Sequence, residues 1–106
     1  MIKKNMMLVV IVILFLSCGH NKEDMNYIKD YMIQCSSDLI HLQLEKGIKT
    51  KDFNLQNNKF TLQIDSTGKP VFLIDDNYTN SMNFNYNEHN YKVELNKTEV
   101  KVLQME

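Results

Sequence analysis

The stretch Ser81-Met82-Asn83-Phe84-Asn85-Tyr86-Asn87-Glu88-His89-Asn90-Tyr91-Lys92-Val93-Glu94-Leu95 decides the fold. Met82, Phe84 and Tyr86 alternate with Asn83, Asn85 and Asn87. After the turn-forming run Asn87-Glu88-His89-Asn90, Tyr91, Val93 and Leu95 alternate with Lys92, Glu94 and Asn96. A period of two puts every second side chain on one face, so each half reads as a half-buried strand, and the short polar connection makes the pair antiparallel. Moving outward, Phe60, Leu62 and Ile64 repeat the pattern. Val71-Phe72-Leu73-Ile74 is apolar on both faces, as a central strand is, with Pro70 at its start, where a missing amide costs least. Asn57-Asn58, Ser66-Thr67-Gly68-Lys69, Asp75-Asp76-Asn77 and Asn96-Lys97 supply the remaining turns.

Upstream of Lys51 the period changes to that of a helix. Ile28, Tyr31, Met32, Cys35, Leu39 and Leu42 recur at steps of three and four, which predicts a helix over 25–46 with one apolar face. Lys46-Gly47-Ile48 reads as its stop: lysine suits the negative end of the helix dipole, glycine takes the left-handed conformation, and Ile48 folds back on the last turn. The expected fold class is therefore α+β, an N-terminal amphipathic helix packed on an antiparallel meander sheet of five or six strands. Six strands at ~4.8 Å spacing span about 25 Å, whereas a helix with its side chains is ~10–12 Å across. Either the sheet curls around the helix, in an element order that resembles cystatin-like architectures, or part of its apolar face stays open for a partner. Fold resemblance of this kind carries no function with it.

Residues 1–19, MIKKNMMLVVIVILFLSCG, combine two lysines, an unbroken apolar run from Met6 to Leu16, and Cys18 between the small residues Ser17 and Gly19. The run is shorter than the ~20 residues a spanning helix needs and fits the apolar region of an export signal. With its cysteine at the cleavage point, the segment resembles a bacterial lipoprotein signal peptide. That resemblance implies cleavage between Ser17 and Cys18 and lipidation of Cys18. It also implies an anchor of two or three acyl chains, each buried methylene contributing ~0.8 kcal/mol. Phe15 and Leu16 depart from the usual pattern, in which leucine and a smaller residue stand at those positions. The expected organisation is a signal peptide over 1–17, a lipid-anchored tether over 18–24 and a single small domain over 25–106. Lys22-Glu23-Asp24 resembles a signal that sends some lipoproteins to the cell surface; the two carboxylates also suit the positive end of a helix dipole. With glycine at position 19, the outer membrane is the expected location.

Composition narrows the function. The chain has no arginine, and without Lys3 and Lys4 ten lysines face thirteen acidic residues, which is not the basic footprint that nucleic acid requires. If Cys18 carries lipid through its sulfur, Cys35 has no intramolecular partner; it is either a buried thiol on the helical stripe or the site of an intermolecular disulfide. No nucleophile motif, metal-spaced Cys/His pair or glycine-rich phosphate loop occurs, and His20, His41 and His89 are scattered. Asp75-Asp76-Asn77 resembles the start of a calcium loop, but Asn80 stands where glycine is needed and Tyr86 where the closing glutamate belongs. No catalytic residue, cofactor or metal is expected, nor a small-molecule ligand. Asp65-Ser66-Thr67 resembles a bacterial O-glycosylation acceptor centred on Ser66, at a hairpin tip. The function expected on these grounds is that of a non-catalytic outer-membrane lipoprotein working through an unidentified protein partner. Two alternatives are an immunity or inhibitor protein that covers a toxic enzyme, and a sugar- or peptide-binding module on the asparagine- and tyrosine-rich stretch 78–91.

Overall fold

Eight elements follow one another along the chain: α1 (Ile2–Lys46), β1 (Thr50–Leu55), β2 (Asn58–Ile64), β3 (Pro70–Ile74), β4 (Asn77–Thr79), β5 (Ser81–Tyr86), β6 (His89–Leu95) and β7 (Val100–Met105). The computed structural model describes residues 2–96 and 99–105, and the side chains of 21–96 and 99–105. All pairings are antiparallel, in the orders β1-β2-β3-β4 and β5-β6-β7. The α+β class stands, but the single meander of five or six strands is corrected, among the described residues, to seven strands in two sheets. The division falls at Asn80, the one residue between β4 and β5, whose carbonyl accepts from the Leu95 amide at 2.7 Å. A strand that bends there pairs with β3 before the bend and with β6 after it, which is how a chain changes sheets at a corner. Neither a closed barrel nor one continuous curled sheet results; α1 packs against β7 of one sheet and against β1, β2 and β3 of the other.

The helical stripe is buried as expected at Ile28, Met32, Cys35 and Leu39, while Tyr31 and Leu42 are half-buried. The expectation of a one-sided amphipathic helix beginning at Met25 is corrected on two counts. Residues 21–24 are already helical, and Asp24, four positions before Ile28, is buried on the same stripe. In addition, Ile33, Ile40 and Leu44 are exposed on the other side of the helix, so apolar residues occupy two faces. The stop is a left-handed αL cap: the Gly47 amide reaches the Gln43 carbonyl (2.9 Å), the Ile48 amide reaches that of Leu42 (3.3 Å), and Gly47 has φ 71°.

Opposite the helix, Phe60 and Leu62 of β2, Phe72 of β3, Phe84 of β5 and Tyr91, Val93 and Leu95 of β6 complete the core. Phe60, Phe72 and Phe84 form a closed triangle of rings with centroids 6.1, 5.3 and 6.0 Å apart, and because Phe84 belongs to the second sheet this triangle joins the two. Val71 is buried on the face opposite Phe72, as a central strand requires.

Three hairpin turns need only two residues: Gln56-Asn57, Asp75-Asp76 and Asn87-Glu88. The last two have positive φ at both positions (50° and 65°; 51° and 67°), the pattern of the type I′ turn that matches strand twist. A glutamate in the left-handed region costs about 1–2 kcal/mol that glycine does not incur. Glu88→Gly is therefore expected to raise the free energy of unfolding by about 1 kcal/mol, less its added chain entropy. Urea denaturation of the variant beside the parent measures the gain.

Candidate functional site

Of the residues singled out from the sequence, Ser17 and Cys18 lie outside those whose side chains are described. The Lys22-Glu23-Asp24 triplet is divided: Lys22 and Glu23 are exposed, and Asp24 is 5% exposed. Its Oδ1 accepts from Asn87 Nδ2 at 2.9 Å and its Oδ2 from Tyr91 Oη at 3.2 Å. Asn87 in turn is held by Gln56: Gln56 Nε2 donates to Asn87 Oδ1 (2.7 Å), and the Asn87 amide donates to Gln56 Oε1 (3.0 Å). Asn58 clasps the Asn85 backbone in the same reciprocal way, at 2.7 and 3.1 Å. Asp24 thus fastens the helix to the β5–β6 turn and to β6, and through Asn87 and Gln56 to the β1–β2 turn of the other sheet. A sequence reading that stops the tether at Asp24 misses this; the available signal was the four-residue step from Asp24 to Ile28.

Ser66 sits exposed at the tip of the β2–β3 hairpin. Beside it, Asp65 Oδ1 accepts from Thr67 Oγ1 (2.6 Å), the Thr67 amide (2.9 Å) and the Lys69 amide (3.0 Å), and these bonds, the Thr67 hydroxyl first, hold the carboxyl below its usual range. His41 and His89 are exposed, and the His89 ring lies edge-on to Tyr91 with centroids 6.5 Å apart. Among the described residues no three His, Cys, Asp or Glu side chains converge on a metal position.

The rings of the 78–91 stretch are mostly part of the core. Phe84 and Tyr91 are buried and Met82 and Tyr86 half-buried, while Tyr78 is exposed and accepts from Gln63 Nε2 at 2.8 Å. Cys35 is a free, buried cysteine. Burial pushes its thiol up to about 11, and burial, then the neighbouring Asp24 charge and its hydrogen bond, push the Tyr91 phenol up to about 12. Both groups keep their protons in the folded state at pH values where the unfolded chain has lost them. Stability from this source is complete below pH ~9 and is lost progressively as pH rises from there toward ~12. Urea midpoints are expected to fall steadily above pH 9, and Tyr91→Phe, which has no proton to lose, should flatten that slope.

What remains is a surface. A groove of about 540 Å³ runs beside the helix, floored by Ile33, Ile40, Pro70, Leu95 and Val100 and rimmed by Lys29, Lys69 and Glu99. Ile33 and Ile40 are 46% and 37% exposed, and Leu44, one turn beyond, is 76% exposed. A spacing of seven and then four residues places all three on one side of the helix. Sequence reasoning assigned the helix a single apolar stripe and left these residues out, although the same three-and-four arithmetic contains them. A second groove of about 550 Å³, between Phe53, Phe60, Leu73, Ile74 and Met82, lies on the strands and lacks a continuous helical flank. Among the described residues no helix is long and apolar enough to cross a membrane. No protein-family model, curated protein or solved structure matches this chain.

Proposed function

We propose that this chain is a non-catalytic lipoprotein of the outer membrane, anchored through Cys18, that works by contact with a protein partner along the Ile33–Ile40–Leu44 face. The single observation that carries the contact reading is that face. Three large aliphatic side chains stand exposed in line on one side of the helix beside an apolar groove, whereas the other exposed apolar side chains, Tyr78 and Leu103 among them, lie outside that groove. An aligned apolar helix face beside a groove is the usual shape of a helix-recognising or groove-docking surface. The anchor rests on the sequence of residues 1–19. Lys29, Lys69 and Glu99 at the rim suit a partner with mixed charge around an apolar centre.

Site-specific photocrosslinking in intact cells tests this reading. A crosslinker placed at Ile40 should give an adduct of one discrete mass, and a crosslinker at exposed Asn83 should not. Ile33→Asp should abolish the Ile40 adduct while changing stability by no more than about 0.5–1 kcal/mol, as expected of a half-exposed position. Equal labelling at both positions, or an adduct indifferent to Ile33→Asp, would remove the groove from the account.

A further inference from the structure

We infer that the end of the domain bearing Tyr27, Tyr86 and the Asn87-Glu88 turn faces a lipid bilayer, with the Leu44 end of the helix away from it; this rests on acylation of Cys18. Chain length sets this orientation. The domain proper begins with the helical turn that holds Asp24, and Asp24 is pinned to Asn87 and Tyr91. Only three residue steps separate Cys18 from Asn21, a reach of about 11 Å at full stretch. Tyr27 lies six helical positions further on, a rise of about 9 Å. The first tyrosine of this end is therefore within about 20 Å of the acylated residue, whatever path the connection takes. A hundred-residue domain has a radius of gyration of about 13 Å, so no folded protein fits between this end and the bilayer, and lipid is its neighbour.

The side chains at this end suit that neighbour. Tyr27 is 54% exposed and stacks on Tyr31 and Tyr86, with centroids 6.4 and 5.7 Å away. Tyrosine offers an apolar ring and a polar tip, the combination that settles at the headgroup level of a membrane. Leu44 is seventeen helical positions beyond Tyr27, about 25 Å along the axis, so the far end of the apolar face is held clear of the headgroups.

The chain contains no tryptophan, so a single substitution creates the only indole. Full-length Tyr27→Trp and Leu44→Trp, extracted from cells and reconstituted into vesicles of phosphatidylethanolamine and phosphatidylglycerol with a dansyl-headgroup tracer, report proximity by energy transfer. Asn57→Trp, on the exposed β1–β2 turn, is a second near reporter that leaves the tyrosine stack intact. Transfer from Tyr27→Trp and Asn57→Trp should exceed that from Leu44→Trp severalfold. Equal transfer from near and far reporters, or more from Leu44→Trp, in chains that float with the vesicles would overturn the orientation and leave the anchor standing. Chains that do not float would overturn the anchor and the orientation together.

Discussion

Phe72→Ala is expected to lower the free energy of unfolding by about 3–5 kcal/mol, a substantial share of the ~5–15 kcal/mol available to a domain of ordinary stability. Phe72 is fully buried, and its ring meets Phe60 at 73° and Phe84 at 52°, so removal opens a cavity where three strands converge. The size of the effect follows from the corner at Asn80. Among the described residues the two sheets share no backbone ladder, and side-chain packing together with the Gln56–Asn87 and Asn58–Asn85 hydrogen bonds holds them together. Losing one ring of the triangle therefore loosens the docking of the sheets as well as a patch of core. A double-mutant cycle between Phe72→Ala and Phe84→Ala should show coupling of about 0.5–1.5 kcal/mol, the range of aromatic pairs. The measurement is denaturant unfolding, with the midpoint falling at constant slope. Phe53→Ala, at a half-buried edge position paired with Phe60, should cost less.

Asp24→Ala is expected to cost about 2–3 kcal/mol, because it removes a charged acceptor and leaves the buried Tyr91 hydroxyl without its hydrogen bond to that carboxylate. Asn87 stands exposed at its turn and recovers a water in exchange, so most of the loss belongs to Tyr91. Asp24→Asn should cost less, since its amide oxygen still serves one donor. The pair of variants separates two roles for the same residue. A carboxylate that served only in a linear export signal would leave the unfolding midpoint untouched and change location alone. A carboxylate that fastens the helix should shift the midpoint whether or not location changes. Glu23→Ala, at an exposed neighbour, is the matched control for the address without the clamp.

The sequence was legible where local pattern and tertiary burial agree. Ile28, Met32, Cys35 and Leu39 are spaced for one helical face and are buried there; Phe60, Leu62 and Ile64 alternate with more accessible neighbours as their period requires. Gly47 and Ile48 form the cap that their identities predict. What was not legible depended on pairing across the chain. Period two identifies strands but not their ladders, so nothing in 77–86 announced that β4 and β5 belong to different sheets. Asp75-Asp76-Asn77 was legible as a turn, yet Asn77 also opens β4, because a two-residue type I′ turn returns the chain to the ladder sooner than its polar composition suggests. Asp24 was hidden for a different reason. A charged residue ahead of an apolar stripe reads as solvent-facing unless its partners are known, and Asn87 and Tyr91 are more than sixty positions away. The Ile33–Ile40–Leu44 face was present in the spacing, but three aliphatic residues among serines and glutamines do not outweigh the deeper stripe beside them.

The first measurement is the intact mass of the chain purified from cell membranes, because both the anchor and the orientation it sets depend on lipidation of Cys18. The expected chain begins at Cys18, lacks residues 1–17 and carries the added mass of a diacylglyceryl group, with a further acyl chain on its amine. Cys18→Ser should abolish the added mass. A membrane-extracted chain that retains residues 1–17 and an unmodified Cys18 would rule out the lipid anchor.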